Sequence, residues 1–232
     1  MVRAPSEGRL AAPERYDIPP ERLERWLDRW VELHGEIAGR SQGPERLTLT
    51  AADGAVLECD PPFPPLTGKG VEGLLAHVRR DRVVAVLLVR LGGHAVGVFD
   101  GDRLDVSKVG SRQVHGRSAA GGWSQQRFAR RREGQVRVAL AAAADLAATL
   151  LVPVAATLDA VVLGGDRRSV DTVLADVRLA PLRPLVVPPL LDVPDPRKAV
   201  LDSALARFRA VRIVLVDPPA AAGRTTLDSP NG

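Results

Sequence analysis

Between Arg82 and Arg90 the chain reads VVAVLLV, an apolar run with no polar interruption. A strand with one wet face alternates apolar and polar residues. A run without alternation belongs to a strand buried on both faces, and this one is too short and too rich in valine for most helices. Residues 82–90 are therefore expected to form the central strand of a sheet covered on both sides, which calls for a layered domain. LGGHAVGVFDGDRLDVSKVG follows and supplies two more strands, with turns at Gly92-Gly93 and Asp100-Gly101. The three strands are expected to form an antiparallel meander.

Beyond the meander the pattern changes. Val136, Leu140, Ala143, Ala147 and Leu150 recur at helical spacing and continue a helix expected to start near Ser124. Then come a strand LDAVVLGG, a helix over 167–177, a strand around RPLVVP, a helix over 196–210 and a final strand VRIVLVD. A meander followed by alternating strands and helices predicts an α/β fold, with an α+β mixed sheet and helices on its faces. Upstream, Pro19 and Pro20 open an amphipathic helix carrying Leu23, Trp26, Leu27, Trp30, Leu33 and Ile37, expected to end at Gly39. ERLTLT and AVLEC flank AADG as a hairpin. The expected organisation is a flexible lead (1–18), an N-terminal αββ module (19–60), a Pro-rich linker (61–70), a main domain (71–217) and a disordered tail (218–232).

With 232 residues, 45% of them apolar, the chain can bury a core. Cys59 is its single cysteine, so no intramolecular disulfide framework exists, and a reducing compartment fits. The four histidines, His34, His77, His94 and His115, are too scattered for a zinc site, and neither metal nor cofactor is expected. The N-terminus has no apolar signal region. The one membrane candidate, ALAAAADLAATLLVPVAATL, carries Asp145 and is broken by Pro153. A buried helix followed by a loop suits it better, and the protein is expected in the cytoplasm.

Several catalytic motifs are near misses. GRSAAGGW has Gly122 where a phosphate-binding loop needs lysine, and TGKG lacks the upstream glycine. GWSQQ has Gln126 where a nucleophile elbow needs its second glycine, so Ser124 is better read as a helix cap than as a nucleophile served by His115. Asp100, Asp105 and Asp159 near strand ends could suggest a two-metal nuclease, but turn and cap roles account for each. Trp26 and Trp30 share one side of the first helix, as core residues do. LGGDRRS reads as a strand, a tight turn and a helix start, with Arg167 or Arg168 available to a phosphate.

HGRSAAGGWSQQRFARRR, residues 115–132, resists a purely structural explanation. Net charge is only +4, yet the stretch from Lys108 to Arg137 holds Lys108, Arg112, Arg117, Arg127, Arg130, Arg131, Arg132 and Arg137 against one acid, Glu133. That one-sided surplus is the signature of a phosphate-binding element. Glycines allow the backbone to approach a ligand closely. Glutamine is no general base, but its amide can orient water and stabilise an oxyanion. Arginine forks hold phosphates.

HGR, then GG, then RFARRR is similar to the middle domain of the archaeo-eukaryotic peptide chain release factor, where GGQ leads into an RFAR helix. LDAVVLGGD and LDVPDPRKAVLDSAL resemble later parts of that domain, and the likeness covers roughly 71–216. It implies an RNase H-like release-factor catalytic domain. Trp123 falls where that family's catalytic glutamine would be, and the glutamines stand instead at Gln125 and Gln126. A displaced glutamine and the basic RFARRR form resemble the Vms-like release factors (VLRF), in their actinobacterial-type branch.

This resemblance implies a peptidyl-tRNA hydrolase that frees nascent peptides on stalled large ribosomal subunits. Gln125, or Gln126 after a one-residue slip, would position water, and Gly121 and Gly122 would let the loop reach the CCA end. Arg117, Arg127, Arg130, Arg131 and Arg132 would hold rRNA or tRNA phosphates, while Trp123 would stack on a base. The implied partners are the large subunit, peptidyl-tRNA and rRNA, with no membrane and a monomeric chain. A non-catalytic ribosome- or tRNA-binding factor and an RNase H-like metal-dependent nuclease are the other classes left open by the sequence.

Overall fold

The structure, a computed structural model, describes residues 12–91, 93–111 and 123–217, and only the backbone of residues 111 and 123–132. In chain order the elements are β1 (Glu14–Ile18), α1 (Pro20–His34), β2 (Ile37–Gln42), β3 (Leu47–Ala51), β4 (Val56–Asp60), α2 (Gly70–Arg79), β5 (Val83–Arg90), β6 (Gly93–Asp100) and β7 (Arg103–Ser111). They continue with α3 (Trp123–Leu151), β8 (Ala160–Gly165), α4 (Arg167–Leu174), β9 (Val186–Leu191), α5 (Lys198–Arg209) and β10 (Val211–Val216). Short 3₁₀ stretches lie at Val152–Thr157 and Val177–Leu185. The chain divides into two units, one holding the residues up to Arg80 and from Arg209 onward, the other Asp81–Phe208.

The second unit is built on a sheet of order β7-β6-β5-β8-β9. Its first three strands are an antiparallel meander, while β8 runs parallel to β5 and β9 parallel to β8. The uninterrupted run in β5 is buried on both faces, as its lack of alternation requires. Ala85, Leu87, Val89, Val96 and Val98 pack on one side with Ala143, Ala147 and Leu151 of α3 and Val170 and Val173 of α4. On the other side Phe99 meets Phe208 of α5 edge-on, with ring centroids 5.4 Å apart. Mixed sheet and flanking helices give the α/β architecture expected.

The stretch Glu133–Thr157 contains 18 consecutive residues of mean hydropathy 2.0, long and apolar enough to cross a membrane by length and composition alone. In the fold its Ala143, Ala147 and Leu151 are buried on the sheet. Outward-facing Asp145 accepts from Arg178 at 2.8 Å. Small alanines on the inner face bring the helix close to the strands, and larger residues there would overpack the contact.

The first unit is a wholly antiparallel sheet of order β1-β10-β4-β3-β2. Leu23, Trp26 and Trp30 of α1 and Leu74 and Val78 of α2 cover it, against Leu47, Leu57, Cys59, Ile213 and Leu215. Both tryptophans are core residues, and burial pushes the Cys59 thiol up to about 12, which keeps it protonated and unreactive.

Several boundaries differ from the sequence expectation. Residues 14–18 are strand β1 rather than flexible lead, because Tyr16 and Ile18 pack inward beside β10. Helix α1 stops at His34, where Gly35 takes φ 87° and its N–H bonds back to the Val31 carbonyl. Ile37 therefore starts β2 and is partly exposed instead of completing the helix stripe.

The Pro-rich stretch at 61–70 is no spacer between modules. Leu66 N–H donates to the Pro44 carbonyl at 2.6 Å, Gly70 N–H to Gln42 Oε1 at 2.8 Å, and His77 of α2 bonds Thr67 and the Pro62 carbonyl. Helix α2 thus closes the first unit. Strand β10 also leaves the expected 71–217 domain and pairs between β1 and β4, so the N-terminal module is completed by the end of the chain rather than being αββ. Tail residues 218–232 lie outside the described residues.

Candidate functional site

Strands β5 and β7 run toward the same end of the second sheet, and β8 and β9, parallel to β5, finish there too. The chain leaves this end at Ser111 and re-enters as α3 at Trp123. Residues 112–122, including His115, Arg117, Gly121 and Gly122, lie outside the described residues. The same end holds the turn from β8 into α4. There Gly165 sits at φ 107°, and a Cβ at this position would lie only 2.1 Å from the Val89 carbonyl oxygen, so no other residue fits without backbone movement.

Helix α3 spans 29 residues, about 43 Å at 1.5 Å per residue, whereas β5 with its 8 residues covers about 26 Å. The helix outruns the sheet at the glycine end. From Glu133 onward its first buried residue is Ala139. Trp123 lies 16 positions earlier, about 24 Å along the axis.

Trp123, Ser124, Gln125 and Gln126 make up the first turn of α3, and Arg127, Arg130, Arg131 and Arg132 fill the next two. The glutamines therefore start a helix rather than sit on a glycine loop, in keeping with the expected helix start near Ser124. The cap assigned to Ser124 concerns a side chain outside the described set. First-turn backbone N–H groups have no intrahelical acceptor, and the helix dipole adds partial positive charge there. An anion or a developing oxyanion is favoured at such a position.

Other charges gather at the same end. Arg167 and Arg168 are exposed at the start of α4. Asp166 caps this helix, accepting from Ser169 N–H at 2.9 Å and Ser169 Oγ at 2.7 Å. Those Ser169 bonds, aided by Arg168 and Arg90, hold its carboxyl below the usual aspartate range. Asp166 is therefore a structural acid.

A cavity of about 710 Å³ lies between α3 and α4, floored by Leu91, Leu140, Ala141 and Ala144 and edged by Glu133 and Arg137. In the sequence Glu133 is only a lone acid. That it lines one cavity with Leu91 and Thr172 depends on the tertiary fold, and no local pattern could have shown it. Asp176, also at the edge, is held at about 2 by hydrogen bonds from Arg178, which also bridges to Asp145.

The three aspartates weighed for a nuclease are not gathered here. Asp159 lies at the opposite end, where its Oδ2 accepts from Val83 N–H at 2.8 Å. Asp100 closes β6 at that end, and Asp105 pairs with Arg103 at 2.7 Å. Among the described residues no group of three or more His, Cys, Asp or Glu is placed to hold a metal.

Among solved structures, the chain is similar to the archaeal translation termination factor aRF1, with 17% identity over 87% of this chain and 68% of that one and a TM-score of 0.42. It is also similar to a structure described as an archaeal protein, with 18% identity over 84% and 74% of the two chains and a TM-score of 0.41. No curated protein matches. The family described as Actinobacteria/chloroflexi VLRF1 release factor matches residues 82–214, from the start of β5 into β10 and more than half of the chain. The chain thus belongs to the Actinobacteria/chloroflexi VLRF1 release factor family.

Proposed function

We propose that the protein is a peptidyl-tRNA hydrolase acting on stalled large ribosomal subunits, in ribosome rescue and quality control. The observation that carries this reading is α3: a helix that outruns its sheet, opens with two glutamines and continues into an arginine cluster. A long projecting element suits an ester buried in RNA.

Gln125 orients the attacking water, and Gln126 is the alternative for that role. Unpaired first-turn N–H groups and the helix dipole favour the tetrahedral oxyanion. Gly121 and Gly122 permit close approach to the CCA end, Trp123 offers a stacking surface for a base, and Arg117, Arg127, Arg130, Arg131 and Arg132 bind rRNA or tRNA phosphates. The reaction needs no cofactor. The chain acts as a monomer in the cytoplasm.

Release of nascent peptide from peptidyl-tRNA on isolated large subunits tests the reading, comparing wild type with Gln125→Ala and Gln126→Ala. Free peptidyl-tRNA serves as the control substrate. Loss of release in one variant with subunit binding retained is the expected result. Binding without release by the wild type would overturn it and leave a non-catalytic RNA-binding factor.

A further inference from the structure

We propose that the cavity between α3 and α4 receives an unstacked nucleobase of the RNA bound by α3, with Glu133 accepting from the exocyclic amine of adenine, cytosine or guanine. This rests on the reading that the glycine end of the second unit meets RNA. Glu133 is the only acid between Lys108 and Arg137. It is exposed, and among the described residues it has no hydrogen-bond or ion-pair partner. On a surface that binds phosphates alone, such a carboxylate would only repel.

The cavity beside it resolves the conflict. Leu91, Leu140, Ala141 and Ala144 give it apolar walls, Ala141 and Ala144 are small enough to leave it open, and its volume of about 710 Å³ lies in the range of small-ligand sites. A base offers two apolar faces to such walls and a polar edge to the rim. Arg137, also on the rim, supplies a guanidinium that can stack on a ring.

Charge selects this occupant over a peptide. The rim carries a second acid, Asp176, which Arg178 already bonds at 2.7 Å, so Glu133 is the acid left to an occupant. A cationic segment would suit Glu133 but not the arginine-rich run 127–132 of the same helix, and a purely apolar side chain would leave the carboxylate unserved. One RNA strand satisfies both, with phosphates on the arginines and an amino-bearing base on Glu133. Glu133 follows Gln126 by seven positions, two helical turns or about 10 Å along α3, so a single strand can reach both positions.

The test uses the full chain and fluorescein-labelled twelve-residue oligoribonucleotides of A, C or U, titrated by anisotropy across a range of salt. Wild type is expected to bind the A and C strands about tenfold more tightly than U, the size of one charge-assisted hydrogen bond. Glu133→Ala removes this preference and leaves the salt slope unchanged, because no phosphate contact is lost. Ala141→Leu fills the cavity and weakens the A and C strands selectively.

Equal binding of all three strands by wild type, no binding at all, or an unaltered preference in Glu133→Ala would overturn the proposal. Crosslinks from the cavity to ribosomal protein rather than RNA, on bound large subunits, would also overturn it. The outcome is separable from that of the hydrolase assay. Base preference without peptide release sinks only the hydrolase, and release without base preference sinks only the base pocket.

Discussion

The two halves of α3 are one continuous helix with opposite requirements. From Ala139 to Leu151 it presents alanines and a leucine to the sheet, and Ala143, Ala147 and Leu151 are fully buried there. From Trp123 to Arg132 it carries two glutamines and four arginines of the RFARRR cluster and its lead-in, about 10 to 24 Å of helix beyond the first buried turn. The inner half fixes the direction in which the outer half points. Stability should therefore depend on one half and chemistry on the other, and a substitution in either should leave the other property intact.

The largest expected effect is in the projecting half. On the proposed hydrolase reading, replacing Gln125 or Gln126 by alanine should, for one of the two, slow peptide release about 10²- to 10³-fold, in line with loss of one preorganised oxyanion donor. The thermal melt of that variant should match that of wild type, since alanine is the better helix former. A matching fall in melting temperature would break the division between the halves.

Next comes the anchoring half. Leu151→Ala leaves a cavity under a fully buried side chain and should cost about 2–5 kcal/mol, read as a lower urea midpoint. Release per folded molecule should stay unchanged. Smaller again is the effect of one arginine. Arg131→Ala should weaken binding to large subunits a few-fold and reduce the slope of log affinity against log salt by about one, with no change in the melt.

The same division explains what the sequence made legible. Elements whose signal is local were readable: the unbroken run of β5, the turns of the meander and the alanine period of α3. Strands whose reason lies in a distant partner were not. ERYDI at 14–18 is too short and polar to announce β1, and VRIVLVD shows that β10 is a strand but not that it pairs with β1 and β4. Pro62 and Thr67 look like linker residues until His77 is seen to bond both. Of the candidate site, the glycines, glutamines and arginines of residues 115–132 stand out in the sequence as types, because chemistry restricts residue choice. The cavity beside Glu133 does not, because Leu91, Leu140, Thr172 and Asp176, which line it, meet only in the folded unit.

The smallest effect separates the two acids at the glycine end. Asp166 holds the first turn of α4 through Ser169, and its carboxyl is kept below the usual aspartate range. A depressed folded pKa means stability that is present above the unfolded value, about 3.9, and is lost as pH falls through the folded one. Asp166→Ala should cost about 1 kcal/mol at pH 7, whereas Asp166→Asn keeps the cap and should cost only a few tenths. Urea midpoints from pH 6 down to 3 should fall less steeply in both variants than in wild type, because neither has a carboxylate to protonate at that cap. Glu133→Ala should leave the urea midpoint at pH 7 within about 0.5 kcal/mol of wild type, since the side chain is exposed. A Glu133 variant that lowered the midpoint as Asp166→Ala does would make Glu133 a structural acid and move the boundary between the anchoring and projecting halves of α3 outward by six residues, from Ala139 to Glu133.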